Sequence, residues 1–270
     1  MKKTLVHHIV EMLRLSKQIV TSQPLRIKET GVVNVKGERS IAMDVAVEKL
    51  FIDYVQKNKL PVAIFSEEAG TISFDNNPKF LLAFDPLDGS TNYKIGKNLL
   101  PFGTLITFYD GLKPKIDNIL AAGAIEYTKD LAWITDGRVT TDLSGNRVTL
   151  KTGWPIDKST PVYLDLYYRE GYKTYLSLAQ KIFIRNTGST IGNLSCTLSG
   201  VAAGLGGVCM RAEEIGAVYT LIKGAGGIAV NHQGKDLGKE NFHPEKTYPI
   251  LAGNKLVVDF CVAQLKQYSK

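Results

Sequence analysis

The stretch Leu81-Leu82-Ala83-Phe84-Asp85-Pro86-Leu87-Asp88-Gly89-Ser90-Thr91-Asn92 carries the reading of this chain. Its first four residues form an apolar run of the kind that fills a buried strand. Asp85 then falls where the chain is expected to leave the sheet, and Pro86 fixes a turn that swings Asp88 back toward the same point. Two carboxylates held that close repel each other unless a cation sits between them. Gly89 lets the backbone approach a ligand, while the hydroxyl and N–H groups of Ser90, Thr91 and Asn92 offer a pocket for an anion such as phosphate. An Asx turn with solvated aspartates is the bland alternative; it accounts for a lone Asp-Gly but not for the whole string.

A second acidic cluster repeats the layout upstream, where Val62-Ala63-Ile64-Phe65 runs into Ser66-Glu67-Glu68-Ala69-Gly70. Adjacent residues leaving a strand point opposite ways, so one glutamate can bind a metal while its neighbour orients a water. Alone, such a pair reads as surface charge. Beside Asp85 and Asp88 it reads as part of one site.

These segments resemble the inositol monophosphatase and fructose-1,6-bisphosphatase superfamily of metal-dependent, lithium-sensitive phosphatases, including its archaeal-type members with dual activity. The third motif of that resemblance is Glu213-Glu214-Ile215-Gly216-Ala217 running to Gly224-Ala225-Gly226-Gly227, with Glu214 twelve residues before Gly226. Inositol phosphatases usually carry Trp-Asp here, whereas the bisphosphatases use glutamate, so Glu213-Glu214 leans toward a bisphosphatase.

The resemblance implies a mixed α+β and α/β protein, a layered αβαβα sandwich. An N-terminal α+β half, 1–153, would carry most metal ligands; a C-terminal α/β half, 154–270, would carry the third metal acid and the substrate contacts. Glu67, Asp85, Asp88, Glu214 and the carbonyl of Leu87 are the implied metal ligands, with Asp85 bridging. All are oxygen donors, which suits Mg²⁺ or Mn²⁺, two or three ions per site, and argues against zinc. Ser90, paired with Asp44, would orient the attacking water with help from Glu68, and Gly89, Ser90 and Thr91 would hold phosphate. The chain departs from the family in having Ser90 for the commoner threonine and Arg39-Ser40-Ile41-Ala42-Met43 before Asp44. Asp44 also has a plain structural reading, because a helix N-terminus welcomes an aspartate. Arg169, Arg185, Ser189 and Arg211 lie in segments that contact the sugar or cyclitol in the family, although an isolated arginine is more often a surface or packing residue.

The implied activity is Mg²⁺-dependent hydrolysis of small sugar or cyclitol phosphate monoesters, with fructose 1,6-bisphosphate and inositol 1-phosphate as leading substrates, in a homodimer of carbohydrate metabolism. A phosphatase of adenosine 3′,5′-bisphosphate or NADP is the alternative within the class. A non-catalytic anion- or RNA-binding homologue is the alternative outside it, favoured only by charge.

Composition adds bounds. At 270 residues and 44% hydrophobic, the chain can bury a large core. Cys196, Cys209 and Cys261 are too few and oddly numbered for a disulfide framework, and no Cys/His spacing suggests zinc; they are expected to be buried thiols in a reducing, cytoplasmic compartment. No signal-peptide stretch follows Met1-Lys2-Lys3-Thr4, and no run approaches the ~20 apolar residues of a bilayer span, so no membrane partner is expected. The net charge is +7, yet the 33 basic residues are scattered rather than gathered into a tract. A small anion therefore accounts for them as well as nucleic acid does, and no nucleic-acid partner is expected.

Periodicity predicts a helix over Lys3–Val20 and another from Met43 or Asp44 to Lys57, with Gly31–Ser40 between them as a mobile loop suited to closing over a site. Strands are expected at 104–108, 119–127, 131–135 and 148–150 as an antiparallel meander. Helices are expected at 172–181, 192–204, 213–223 and 255–268 in an α/β layer.

Overall fold

The computed structural model describes residues 2–22, 29–33, 39–96 and 99–268. Helix α1 (Lys2–Ser22) precedes a small antiparallel ribbon of β1 (Glu29–Val33) and β2 (Arg39–Ile41). The expected loop at 31–40 is thus partly strand, and residues 34–38, whose closure over the site was anticipated, lie outside the described residues. Helix α2 (Ala42–Lys57) follows directly.

A seven-stranded sheet comes next: β3 (Val62–Ser66), β4 (Gly70–Ser73), β5 (Phe80–Asp88), β6 (Gly103–Asp110), β7 (Ile119–Glu126), β8 (Leu131–Thr135) and β9 (Thr140–Asp142), with the seven-residue helix α3 (Ser90–Gly96) after β5. The spatial order is β4-β3-β5-β6-β7-β8-β9. β6, β7 and β8 form the expected antiparallel meander, extended antiparallel by β5 on one side and β9 on the other, while β3 pairs parallel to β5. The strand expected at 148–150 is absent; the last meander strand is β9, and Leu150 instead uses its N–H on the Ala225 carbonyl at 2.9 Å.

The second sheet contains β10 (Pro161–Leu164), β11 (Phe183–Arg185), β12 (Gly204–Met210), β13 (Ile228–Val230) and β14 (Tyr248–Gly253), in the order β11-β10-β12-β14-β13. Its helices are α4 (Arg169–Tyr175), α5 (Thr190–Leu198), α6 (Ala212–Gly224) and α7 (Lys255–Tyr268). The helix expected at 172–181 begins earlier and decays into a 3-10 turn at Leu176–Leu178. The one expected at 192–204 stops at Leu198, and Gly204 opens β12 instead.

Alternation along β5 sets the layers. Leu82 and Phe84 face α1 and α2, joining Ile9, Met12, Leu13, Val47 and Phe51. Leu81 and Ala83 face the other way, joining Ile191, Leu194, Ile215, Val218 and Ile222 of α5 and α6, which also pack on Leu205, Ile250 and Ala252 of the second sheet. Beyond that sheet, Leu164, Val230 and Leu251 meet Tyr175, Val257, Val258 and Cys261. The result is helix, sheet, helix, sheet, helix, the expected αβαβα sandwich. Each large apolar side chain so buried contributes about 1.5–3 kcal/mol.

Helix α6 seats closely against the first sheet because Gly216 has no side chain. A Cβ there would come within 2.2 Å of the Tyr109 hydroxyl and 2.8 Å of Thr107 Cγ2. Among the described residues no helix is long and apolar enough to cross a membrane. All three cysteines are free; Cys196 and Cys261 are buried, and burial pushes the Cys261 thiol up to about 12.

Candidate active site

Asp85 and Asp88 do not flank an exit turn. β5 continues through both, pairing Asp85 with Leu105 and Asp88 with Gly103, so three steps on β5 match two on β6. That is a bulge of one extra residue, and it accommodates Pro86 inside an otherwise central strand. In a regular strand, residues three apart point to opposite faces. The bulge cancels one step and brings both carboxylates to one side. The Pro86 carbonyl, displaced from the ladder, accepts the Thr104 hydroxyl at 2.7 Å.

Each acid is then fixed by main-chain N–H groups. Asp85 Oδ1 accepts the Leu87 N–H at 2.9 Å, and Asp88 Oδ2 accepts that of Ile191, in the first turn of α5, at 2.5 Å. Glu214 is the third residue of α6, and its Oε2 accepts the Arg211 N–H at 3.3 Å and the Thr190 hydroxyl at 3.1 Å. Oxygens of these three buried carboxylates lie within 4.8 Å of one another. Burial pushes Asp88 up to about 6; N–H groups of Ile191 and Thr190 oppose the shift and the Asp165 carboxylate adds to it. Three buried acids from separate segments, one of them raised by desolvation, form a set of hard oxygen donors that can hold a metal ion. Buried acids are otherwise paired or neutral.

Glu67 and Glu68 occupy the three-residue turn between β3 and β4. Glu67 is ion-paired with Arg211, and Glu68 accepts the Ser40 hydroxyl. Asp44 sits third in α2, where its Oδ2 accepts the Ile41 N–H at 2.9 Å. It occupies the same helical position as Glu214 in α6, the reciprocal half of a capping box in each case. The structural reading of Asp44 as a helix-end residue therefore holds together with its place in the site.

One cavity of about 720 Å³ collects these groups. Asp44, Glu67, Glu68, Asp85, Leu87, Asp88, Gly89, Ser90, Thr91, Ser189, Arg211 and Glu214 all line it. Gly89 adopts φ +79, and a Cβ there would lie 2.8 Å from that of Ser189. Ser189 also caps α5, accepting the Gly192 N–H at 3.1 Å and donating to the Pro101 carbonyl at 2.9 Å.

Two expected substrate residues are not among those lining the cavity. Arg169 is exposed at the start of α4, and Arg185, also exposed, lays its guanidinium over the Phe183 ring at 3.9 Å. In their place the wall carries Asp165, Tyr167, Tyr168, Tyr172, Asn186 and Asn193. Asp165 had a usable signal: it follows the run Val162-Tyr163-Leu164 in the same strand-then-acid layout as Glu67.

A family model described as the N-terminal domain of fructose-1-6-bisphosphatase matches residues 3–125. A class 1 fructose-1,6-bisphosphatase of Natronomonas pharaonis is 27% identical over 252 residues, covering 86% of this chain and 88% of the relative. Other bisphosphatases are matched over shorter stretches; for the cytosolic enzyme of Solanum tuberosum, at 33% identity, the match covers 34% of this chain and 28% of the relative. Among solved structures, the extragenic suppressor protein suhB of Bartonella henselae superposes with a TM-score of 0.80 at 18% identity, covering 98% of this chain and 99% of that one. A protein described as inositol monophosphatase-fructose 1,6 bisphosphatase gives a TM-score of 0.77 at 19% identity, covering 96% and 98%. Over residues 3–125 the chain is similar in sequence to the N-terminal domain of fructose-1-6-bisphosphatase, and over nearly its whole length it has the fold of the suhB and inositol monophosphatase-fructose 1,6 bisphosphatase structures.

Proposed function

We propose that this protein is a Mg²⁺-dependent phosphomonoesterase that hydrolyses small sugar or cyclitol phosphates, fructose 1,6-bisphosphate and inositol 1-phosphate first among them. The observation that carries this reading is the convergence of Asp85, Asp88 and Glu214 on one point of a cavity that also holds Asp44, Glu68 and Ser90. Relatives described as fructose-1,6-bisphosphatases support the substrate class. The bulged strand of the first half and the α6 terminus of the second would supply the ligands together, which is the functional sense of dividing the chain at 153/154.

Glu67, Asp85, the Leu87 carbonyl, Asp88 and Glu214 would hold two or three Mg²⁺ ions, with Mn²⁺ as substitute. When bound, the metal lowers the pKa of water and offsets charge on phosphate oxygens. Gly89, Ser90 and Thr91, at the start of α3, would bind the phosphate through N–H and hydroxyl groups. Asp44 and Ser90 would orient the attacking water, with the Ser90 hydroxyl relaying hydrogen bonding and Glu68 accepting a proton. Asp165 and Asn186 offer acceptors and donors to sugar hydroxyls. For Glu67 to ligate, it must give up Arg211, whose guanidinium then becomes available to an anionic substrate.

One observation favours a second reading. Tyr167, Tyr168 and Tyr172 line the cavity together, and aromatic faces of that kind stack on a nucleobase. Adenosine 3′,5′-bisphosphate belongs in the same test.

The test is phosphate release from fructose 1,6-bisphosphate, inositol 1-phosphate, adenosine 3′,5′-bisphosphate and NADP, with Mg²⁺ and with excess chelator. Metal-dependent release from a sugar or cyclitol phosphate supports the proposal. Preference for the nucleotides selects the second reading, and release undiminished by chelator refutes the metal assignment.

A further inference from the structure

Glu48 lies on α2, one turn beyond Asp44, and no step of the proposed reaction uses it. It is a buried carboxylate, 8% exposed, and its contacts run to the turn that carries two of the site acids. Its Oε1 accepts the hydroxyl of Ser66 and the N–H of Ala69, the latter at 2.9 Å. Ser66 is the last residue of β3 and Ala69 the last residue of the turn, so one carboxylate oxygen grips both ends of the segment Glu67-Glu68. The Ser66 hydroxyl also lies 3.2 Å from the Ala69 nitrogen, which closes the triangle. From the other side, Ser40 of β2 holds Glu68 itself.

We infer that Glu48 is a positioning residue: by fixing both ends of the Glu67-Glu68 turn to the helix that carries Asp44, it sets the place of Glu67 as a metal ligand and of Glu68 as the proton acceptor. The inference rests on the proposed metal-dependent reaction for its meaning, but not for its geometry. Outer partners that orient metal ligands typically change metal affinity 10–100-fold when removed. Without Glu48 the turn would keep its hairpin pairing, Ser66 with Gly70, yet lose the carboxylate that ties its base to α2. Glutamine at this position keeps an oxygen acceptor in the same place and should preserve the grip. Leucine fills the volume and cannot accept.

The experiment is a Mn²⁺ binding titration, read by the electron paramagnetic resonance of free Mn²⁺, on the full chain and on Glu48→Gln, Glu48→Leu and Ser66→Ala, with melting temperatures measured in chelator. Glu48→Leu should weaken binding at one or more sites by about 10–100-fold, Ser66→Ala by less, and Glu48→Gln by about threefold or less. At saturating Mn²⁺, kcat on the preferred ester should remain lowered in Glu48→Leu while KM stays close to wild type. Should Glu48→Leu fail to fold, Ser66→Ala, which removes one hydrogen bond and little volume, decides the question. Unchanged Mn²⁺ affinity in the folded variants, with only the melting temperature lowered, would overturn the inference and leave Glu48 a structural residue. A protein that binds Mn²⁺ in this Glu48-dependent way but hydrolyses none of the esters would refute the proposed function and leave the positioning role standing.

Discussion

The inner acids and the turn acids are held by different means. Asp85, Asp88 and Glu214 hang from main-chain N–H groups at a strand bulge and two helix ends, and they converge. Glu67 and Glu68 ride on a short hairpin turn, and their carboxylates are engaged by the side chains of Arg211 and Ser40. Backbone donors cannot turn away, so the inner cluster is built whether or not it is loaded. Side-chain partners can exchange, so the turn is where loading can rearrange the site. The lesson is that preorganisation is uneven: a fixed floor of three acids and an adjustable wall.

The strongest way to break this contrast is to remove charge from the floor. Asp85→Asn should lower kcat/KM by on the order of 10³-fold or more, because asparagine keeps the shape but not the charge that a metal and a developing negative phosphate require. Circular dichroism and the melting temperature should show the fold intact. Near-normal turnover would place the reaction elsewhere.

Next in size is a test of the wall. Glu67→Gln should raise the Mg²⁺ concentration for half-maximal activity by about 10–100-fold, whereas Arg211→Met should lower it while raising substrate KM, since the competitor for Glu67 and a cation for the substrate are lost together. If both variants shift the Mg²⁺ requirement in the same direction, the exchange of partners at Glu67 is wrong.

How much of this was readable from the residues alone follows from what is local. Asp85, Asp88 and Gly89 stand in one string, and a contiguous string keeps its meaning in any fold. The bulge was not legible, because it is a property of two strands: Pro86 looks like an exit turn until β6 is laid beside it with Gly103 opposite Asp88. β12 was missed because the expected helix ran to Gly204 and the stretch behind it, with Gly206 and Gly207, carries no strand period. They are in the strand because a Cβ on Gly206 would strike Leu251 at 2.7 Å and the Ile250 carbonyl at 2.9 Å, an approach only tertiary packing demands. Arg169 and Arg185 were named from their segments, and the segments do reach the cavity through Tyr172 and Asn186; which residue of a segment points inward is set by local backbone that periodicity does not report.

A subtler effect separates floor from wall by pH. The folded protein holds the Asp88 proton up to about 6, against an ordinary value of 3.8, so the metal-free protein binds that proton more tightly than the unfolded chain does. The stabilisation is present below about pH 4 and is lost as pH rises through about 6. Melting temperatures in chelator should therefore fall across that window, and saturating Mg²⁺ should flatten the slope. A metal-free melting curve that rises over the same window would contradict the burial assigned to Asp88.

The smallest effects should come from outside the cavity. Arg169→Ala and Arg185→Ala should each change KM for the preferred ester by less than about threefold, in keeping with surface arginines. A larger rise in KM, with kcat unchanged, would extend the site past its present rim.

The close seat of α6 has a consequence in time as well as in space. Twelve of its thirteen residues, all but Lys223, are buried between the two sheets. Amides in such a position exchange with solvent only when the whole molecule opens. In hydrogen exchange, the Ala217–Gly224 segment should be among the slowest in the chain, and the rate there should report global unfolding. Glu214 sits at the head of that helix, so on heating the floor of the site should persist until the core itself gives way.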